Sequence, residues 1–158
     1  MYSAPDVNWD ELLPGEPKTG LHWHCFFWKG PAVRKFSMRY QVERTPGTPE
    51  FQTGDTPAEA VSDNLLRPRL VRATFTDAAD AAAWARAMYE ENRPASDYTN
   101  PDNTQWYMRR SIELALDPVW RWDTPNPGDS TANWAAVVCC PNRMEPSYPC
   151  PKPPQSAA

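Results

Sequence analysis

Two histidines and four cysteines are the residues of this chain with the clearest chemical potential. His22 and His24 lie in residues 21–28, whose alternating pattern predicts a strand. Side chains two residues apart in a strand project from one face about 7 Å apart, so two imidazoles can share a zinc ion. Cys25 then projects from the opposite face. The further candidate ligands for a metal at His22 and His24 are Cys139, Cys140 and Cys150.

The cysteine spacing argues against such a metal site. No C-x₂-C pair is present, and the adjacent residues Cys139 and Cys140 make a poor chelate. Residues 1–20 lack the basic and apolar regions of a secretory signal, so we expect a cytoplasmic protein with reduced thiols. The prediction is a metal-free protein without a cofactor, with buried structural cysteines. A metal-binding protein centred on His22, His24 and the cysteines is the alternative.

Motifs of familiar enzymes are missing from the sequence. A serine or cysteine nucleophile would need His22 or His24 as its base, and no G-x-S-x-G elbow presents a serine. Glycine loops for phosphate, an H-E-x-x-H motif and a calcium-binding loop are also lacking. We therefore predict a non-catalytic protein, with a small enzyme centred on the same histidines and cysteines as the alternative.

Residues 21–45 are predicted to form a basic hairpin. Residues 33–44 alternate apolar and polar side chains, which predicts a second strand beside residues 21–28. Five basic residues stand against one acidic residue in this segment. A basic sheet that bears aromatic rings can bind single-stranded nucleic acid, but the whole chain has a net charge of −4, so nucleic acid is not the favoured partner. The candidate binding residues are His22, His24, Trp28, Arg34, Lys35 and Arg39.

Aromatic side chains must supply much of the core, because the chain has 8 Trp, 6 Tyr and 5 Phe but few aliphatic residues. The 19 Pro predict long loops. Residues 77–92 are predicted as the main helix, capped by Thr76 or Asp77. Its inward stripe is Ala81, Trp84, Ala85 and Met88. Further strands are predicted at 69–76, 119–122 and 134–140, whereas 104–116 fits both a helix and a strand, with the strand favoured.

These elements predict an α+β fold, in which an antiparallel sheet of about four to six strands is backed by the one main helix. We expect an extended arm at residues 1–20, a single α+β domain at 21–140 and an irregular, proline-rich tail at 141–158. No apolar run is long enough to cross a membrane, so no membrane partner is predicted.

The favoured function is a small non-catalytic interaction module. Tryptophan, tyrosine and arginine, which dominate protein interfaces, are abundant, and active-site motifs are missing. The codon bias implied by one Ile and many Arg indicates a GC-rich host. We expect a subunit or accessory protein of a larger assembly, of phage or mobile-element type, that binds a protein partner or a second copy of itself.

Overall fold

The computed structural model describes residues 7–94, 100–126 and 129–153 and has the predicted α+β fold. The predicted arm at residues 1–20 and the predicted tail at residues 141–158 each extend partly outside these residues. In chain order the helices and strands are α1 (Trp9–Leu12), β1 (His22–Pro31), α2 (Ala32–Phe36), α3 (Pro49–Thr53), β2 (Ala73–Phe75), α4 (Ala78–Glu91), α5 (Pro101–Glu113), β3 (Val119–Asn126) and β4 (Asp129–Cys140). Short 3₁₀ helices lie at Met38–Arg44, Val61–Leu66 and Pro68–Leu70.

The four strands form one antiparallel sheet in the order β2-β1-β4-β3. β1 pairs with β4 along its whole length, from His22 opposite Cys140 to Pro31 opposite Thr131. β2 pairs only with the first part of β1, where Thr74 lies opposite His24. β1 is thus a central strand, and both of its faces carry buried side chains.

Helices α4 and α5 cover one face of the sheet, which we call the helix face. Asp77 caps α4 by accepting hydrogen bonds from two backbone N–H groups of the first turn. Aromatic rings and alanines fill the space between helices and sheet, with Tyr89 stacked on Trp120 at a centroid distance of 4.9 Å. The fully buried residues of this core include Cys25, Ala81, Ala85, Met108, Ile112, Ala135 and Val137.

The inward stripe of α4 differs in part from the prediction. Ala81 and Ala85 are fully buried, but Trp84 and Met88 are only partly buried at the margin of the core. Tyr89, which is 1% exposed, is the aromatic residue that α4 contributes to the centre. Small alanines let the helix approach the sheet closely, and this leaves the larger Trp84 ring at the side.

No long helix of the described residues lies over the opposite face of the sheet, which we call the loop face. Its core is formed by Phe26, Trp28, Trp134 and Val138, together with smaller residues of β4. Residues 61–71 and Tyr148 pack against this core from two separate parts of the chain. Short 3₁₀ helices and irregular backbone therefore cover this face of the sheet.

The strand predicted at residues 33–44 is wrong, and with it the basic hairpin. This segment forms α2 and the 3₁₀ helix Met38–Arg44. The place of a hairpin partner beside β1 is taken by β4, so the alternating side chains have no strand to pair with. The buried Arg44 side chain stabilises the helical path by donating hydrogen bonds to the backbone carbonyls of Arg34 and Ser37.

The strand favoured at residues 104–116 is also wrong, because α5 occupies Pro101–Glu113. The Asn100 side chain accepts hydrogen bonds from two backbone N–H groups of the first turn, and Pro101 suits the first helical position. Met108 and Ile112, one turn apart, are fully buried on the helix face. The sheet therefore has two long helices behind it rather than one.

Residues 7–20 of the predicted arm lie along α5. The Trp9 ring contacts Tyr107 at a centroid distance of 4.8 Å, and its N–H donates to Asn103 at 3.1 Å. The Arg110 side chain donates to the carbonyls of Leu13 and Gly15, each at 2.8 Å. Arg110 thus fixes the arm to the domain.

Candidate metal centre

The sheet register places three candidate ligands side by side on the loop face. His22 and His24 project from the same face of β1, because side chains alternate along a strand. Cys140 lies directly opposite His22 on β4, and the side chains of an opposed antiparallel pair share a face. Cys139, its neighbour in the chain, must then project into the core of the helix face, where it is fully buried.

The fourth candidate ligand, Cys150, belongs to the irregular segment that follows β4. Asn142 begins the turn: its side-chain amide donates to Asp117 at 3.0 Å, and its side-chain oxygen accepts from the backbone N–H of Met144 at 3.0 Å. Tyr148 then donates to Asp63 at 2.7 Å and so ties this segment to the loop face. These contacts return Cys150 to the beginning of β1, beside His22 and His24.

The four candidate ligand atoms form a compact group. The imidazole and thiol donor atoms of His22, His24, Cys140 and Cys150 all lie within 4.8 Å of one another. The Cys150 Sγ is 3.2 Å from His22 Nε2 and 3.4 Å from His24 Nε2. Nitrogen and sulfur ligands of a tetrahedral zinc ion lie roughly 3.6 Å apart, given Zn–N and Zn–S bonds of about 2.05 and 2.3 Å. The spacing therefore fits one zinc ion.

Thr74 holds one of the imidazoles in the orientation that metal binding needs. Its Oγ1 lies 2.9 Å from His24 Nδ1, and the two residues are opposed in the β1–β2 pairing. With Nδ1–H donating to this oxygen, the lone pair of His24 is on Nε2, the atom that faces Cys150. A hydrogen bond to the second ring nitrogen is the usual support of a metal-binding histidine.

Burial keeps the histidines neutral and the Cys140 thiol protonated when no cation is bound. Desolvation lowers the pKa of His24 to about 4, and repulsion from Lys152 and from the protonated form of His22 acts in the same direction. Burial also lowers the pKa of His22. The pKa of Cys140 is raised to about 12 by burial first and then by Cys150 and Cys139. Neutral imidazoles are the metal-binding form, whereas a thiol must exchange its proton for the metal.

The structure brings together four of the residues that the sequence singled out and separates the others. His22, His24, Cys140 and Cys150 converge, whereas Cys139 and Cys25 lie in the core of the helix face. Trp28 is buried in the core of the loop face. The remaining candidate binding residues lie beyond the far end of β1, in or beside α2: Arg34, Lys35 and Arg39.

Sequence reasoning missed the residues that assemble this centre. Thr74 carries no local signal, since its role depends on pairing with β1. Asn142 and Asp117 are ordinary turn residues in sequence, yet Asp117 accepts hydrogen bonds from both Asn142 and the backbone N–H of Cys139. The run Pro149-Cys150-Pro151 is distinctive, but nothing near it points to a histidine 126 residues away.

Comparison with known proteins gives no relative for this chain: no family model, no curated protein and no solved structure matches it. Within residues 7–94, 100–126 and 129–153, no helix has the length and apolar character required to cross a membrane.

Proposed function

We propose that this chain is a zinc-binding protein with a structural Cys₂His₂ centre formed by His22, His24, Cys140 and Cys150. The observation that carries the proposal is the convergence of these four donor atoms within 4.8 Å from three separate parts of the chain. This proposal replaces the expectation of a metal-free protein, which depended in part on local cysteine spacing. The ligands are supplied by strand register and by a long-range return, so local spacing did not indicate them.

The type of donor atom favours zinc over other common cations. Mg²⁺ and Ca²⁺ prefer oxygen ligands, which this group does not offer, whereas two thiolates and two imidazoles suit tetrahedral zinc. Charge supports the same choice. Two thiolates neutralise one Zn²⁺ ion, and the imidazoles stay neutral, so the loaded site adds no net charge to a partly buried place.

The number of ligands favours a structural over a catalytic metal. Four protein ligands fill a tetrahedral shell, whereas catalytic zinc sites keep one position for water or substrate. One of the four, Cys150, belongs to a segment without helix or strand, and a metal bond would fasten that segment to the sheet. This role agrees with the prediction of a non-catalytic protein.

The interaction-module hypothesis stays a second proposal beside zinc binding. It is supported by apolar side chains that lie exposed in and after α2, among them Phe36 at 56% and Met38 at 72% exposure. A structural zinc ion is compatible with it, because such a metal contributes stability rather than chemistry. Membership in a larger assembly of phage or mobile-element type stays a prediction.

Zinc content of purified variants tests the first proposal. Protein produced with zinc in the medium and purified without chelators is analysed by inductively coupled plasma mass spectrometry. We expect about one zinc per chain in the unmodified protein and in Cys139→Ala, the matched control, whose side chain faces away from the centre. Cys140→Ala and Cys150→Ala are expected to lose most of it. A zinc-free unmodified protein, or full zinc in Cys150→Ala, would overturn the proposal.

A further inference from the structure

We propose that residues 32–44, which we call the 32–44 surface, form a docking site for an acidic segment of a partner protein that also carries apolar side chains. This inference specifies the partner in the interaction-module hypothesis and rests on that hypothesis, not on zinc. The 32–44 surface begins where β1 ends at Pro31, whereas the metal centre lies at the first residues of the same strand. The two sites can therefore be tested separately.

Exposed apolar side chains are concentrated in this short segment. Among the described residues, seven large apolar side chains are exposed, and four of them lie between positions 33 and 42. They are Val33 at 46%, Phe36 at 56%, Met38 at 72% and Val42 at 46% exposure. Val33 and Phe36 are three residues apart in α2 and so share one side of the helix. A partner that covers these side chains removes apolar area from water, which favours binding.

The backbone of the 32–44 surface is fixed from inside the protein. The Arg44 side chain is 2% exposed and donates to the carbonyl of Ser37 at 3.1 Å and to Glu59 at 2.7 Å. It also donates to the carbonyl of Arg34, so one guanidinium connects α2 with the following 3₁₀ helix. A partner therefore meets a preformed surface and need not order it, which lowers the cost of binding.

The charges around these apolar side chains are mostly positive. Arg34 and Arg39 lie over the Tyr40 ring at 5.8 and 5.6 Å from its centroid, and Lys35 lies 5.9 Å from that of Phe36. Glu43, which contacts Arg34 at 3.3 Å, offsets one of the three cations. The remaining positive charge contrasts with the net charge of −4 of the whole chain. Complementary carboxylates on a partner would select this surface and orient the contact.

Two other occupants fit the 32–44 surface less well. Three of its four exposed apolar side chains are aliphatic and offer no ring for a base, and the Tyr40 ring already has two guanidinium groups over it. Single-stranded nucleic acid binds through stacked rings, so it is disfavoured. A second copy docked by a two-fold axis would place the cations of one surface against those of the other, which is also unfavourable.

Selection from a random peptide library tests the inference. A library of 16-residue peptides is displayed on phage and selected on the purified full-length protein, and the enriched peptides are synthesised for affinity measurement by fluorescence anisotropy. We expect enrichment of peptides that combine Asp or Glu with Leu, Phe or Trp. Phe36→Ala and Met38→Ala should each weaken binding by about tenfold or more, and Arg39→Glu should weaken it and reduce its salt dependence.

Exposed apolar residues elsewhere provide matched controls. Leu12→Ala and Met144→Ala remove side chains of 59% and 75% exposure outside the 32–44 surface and are expected to leave binding unchanged. Failure to enrich any peptide would count against both this surface and the interaction-module hypothesis. Peptides insensitive to Phe36→Ala would overturn the surface alone and keep an interaction function. Tight binding of a single-stranded oligonucleotide that Arg39→Glu abolishes would overturn the protein partner.

Discussion

On the helix face of the sheet, α4 and α5 bury a continuous core of aromatic rings and alanines, centred on Tyr89 and Trp120. On the loop face, residues 61–71 and the segment after β4 cover the strands without a long helix. The helices satisfy their own backbone hydrogen bonds, so side-chain packing suffices to hold them on the sheet. The short 3₁₀ helices of the loop face pair some of their own backbone groups, and buried polar side chains pair others.

Buried polar side chains hold the loop face together. Arg67, which is 2% exposed, donates to the carbonyls of Thr56 and Gly54 at 2.7 and 3.2 Å and lies over the Phe51 ring at 4.2 Å. In the turn after β4, the Asn142 side chain likewise donates to Asp117 and accepts from the backbone N–H of Met144. A zinc ion at His22, His24, Cys140 and Cys150 would add a covalent-like bond between this turn and the sheet. One face is thus stabilised by packed helices, whereas on the other face polar contacts supplement a smaller apolar core, and the proposed zinc ion would add to them.

The largest expected effect is a loss of packing on the helix face. Tyr89→Ala should lower the free energy of unfolding by about 3–5 kcal/mol, because it removes a buried ring stacked on Trp120 and packed edge-on against Trp122. Chemical denaturation followed by circular dichroism measures the change. Tyr89→Phe keeps the ring and should cost much less.

Tyr89→Ala tests packing on the helix face alone only if the variant keeps the zinc content of the unmodified protein. Folded Tyr89→Ala protein is therefore analysed for metal in parallel, and about one zinc per chain is expected. If the free energy of unfolding falls by less than about 1 kcal/mol, Tyr89 does not lie at the centre of the helix-face core.

The next effect concerns the loop face and the metal. Removing zinc with a chelator should lower the free energy of unfolding by about 3 kcal/mol when the zinc concentration had been about 100 times the dissociation constant. Hydrogen exchange should show where this occurs: amides of residues 141–150 lose protection first, while those of α4 keep theirs. Cys150→Ala, in which the chelator should change nothing further, is the control. Equal loss of protection in α4 would show that zinc stabilises the helix face as much as the loop face.

The smallest effect is expected for a single polar contact of the loop face. Tyr148→Phe removes the hydroxyl that donates to Asp63 at 2.7 Å, a hydrogen bond that, with burial, raises the pKa of Tyr148 to about 12. We expect a loss of about 1 kcal/mol or less in the free energy of unfolding, because the hydroxyl is only partly buried. A competition titration with a zinc chelator should also show a slightly weaker metal affinity. An increase in either quantity would mean that Tyr148 does not hold the Cys150 segment in place.

Local patterns predicted the parts of the fold that depend on neighbours in sequence. The alternation in β1 correctly separated His22 and His24 from Cys25, and Asp77 marked the start of α4. The start of α5 carries a local signal, Asn100 followed by Pro101, whereas the strand prediction for residues 104–116 depended on apolar alternation and did not use this signal. Capping residues were the better guide there.

The remaining features depend on contacts that no local pattern contains. Residues 33–44 alternate like a strand, but β4 occupies the edge of β1 that they would need. The metal centre requires the β1–β4 register, which sets Cys140 beside His22, and the turn at Asn142, which returns Cys150. Without an alignment of relatives, a single sequence offers no means to find such distant pairs.

X-ray absorption at the zinc K-edge of the purified, zinc-loaded protein tests the central claim most directly. We predict a four-coordinate zinc ion with two sulfur ligands at about 2.3 Å and two imidazole nitrogens at about 2.05 Å. The same measurement on Cys139→Ala should give an identical shell, because Cys139 faces the other side of the sheet. A shell dominated by oxygen, or one whose sulfur count falls in Cys139→Ala, would contradict the proposed Cys₂His₂ centre.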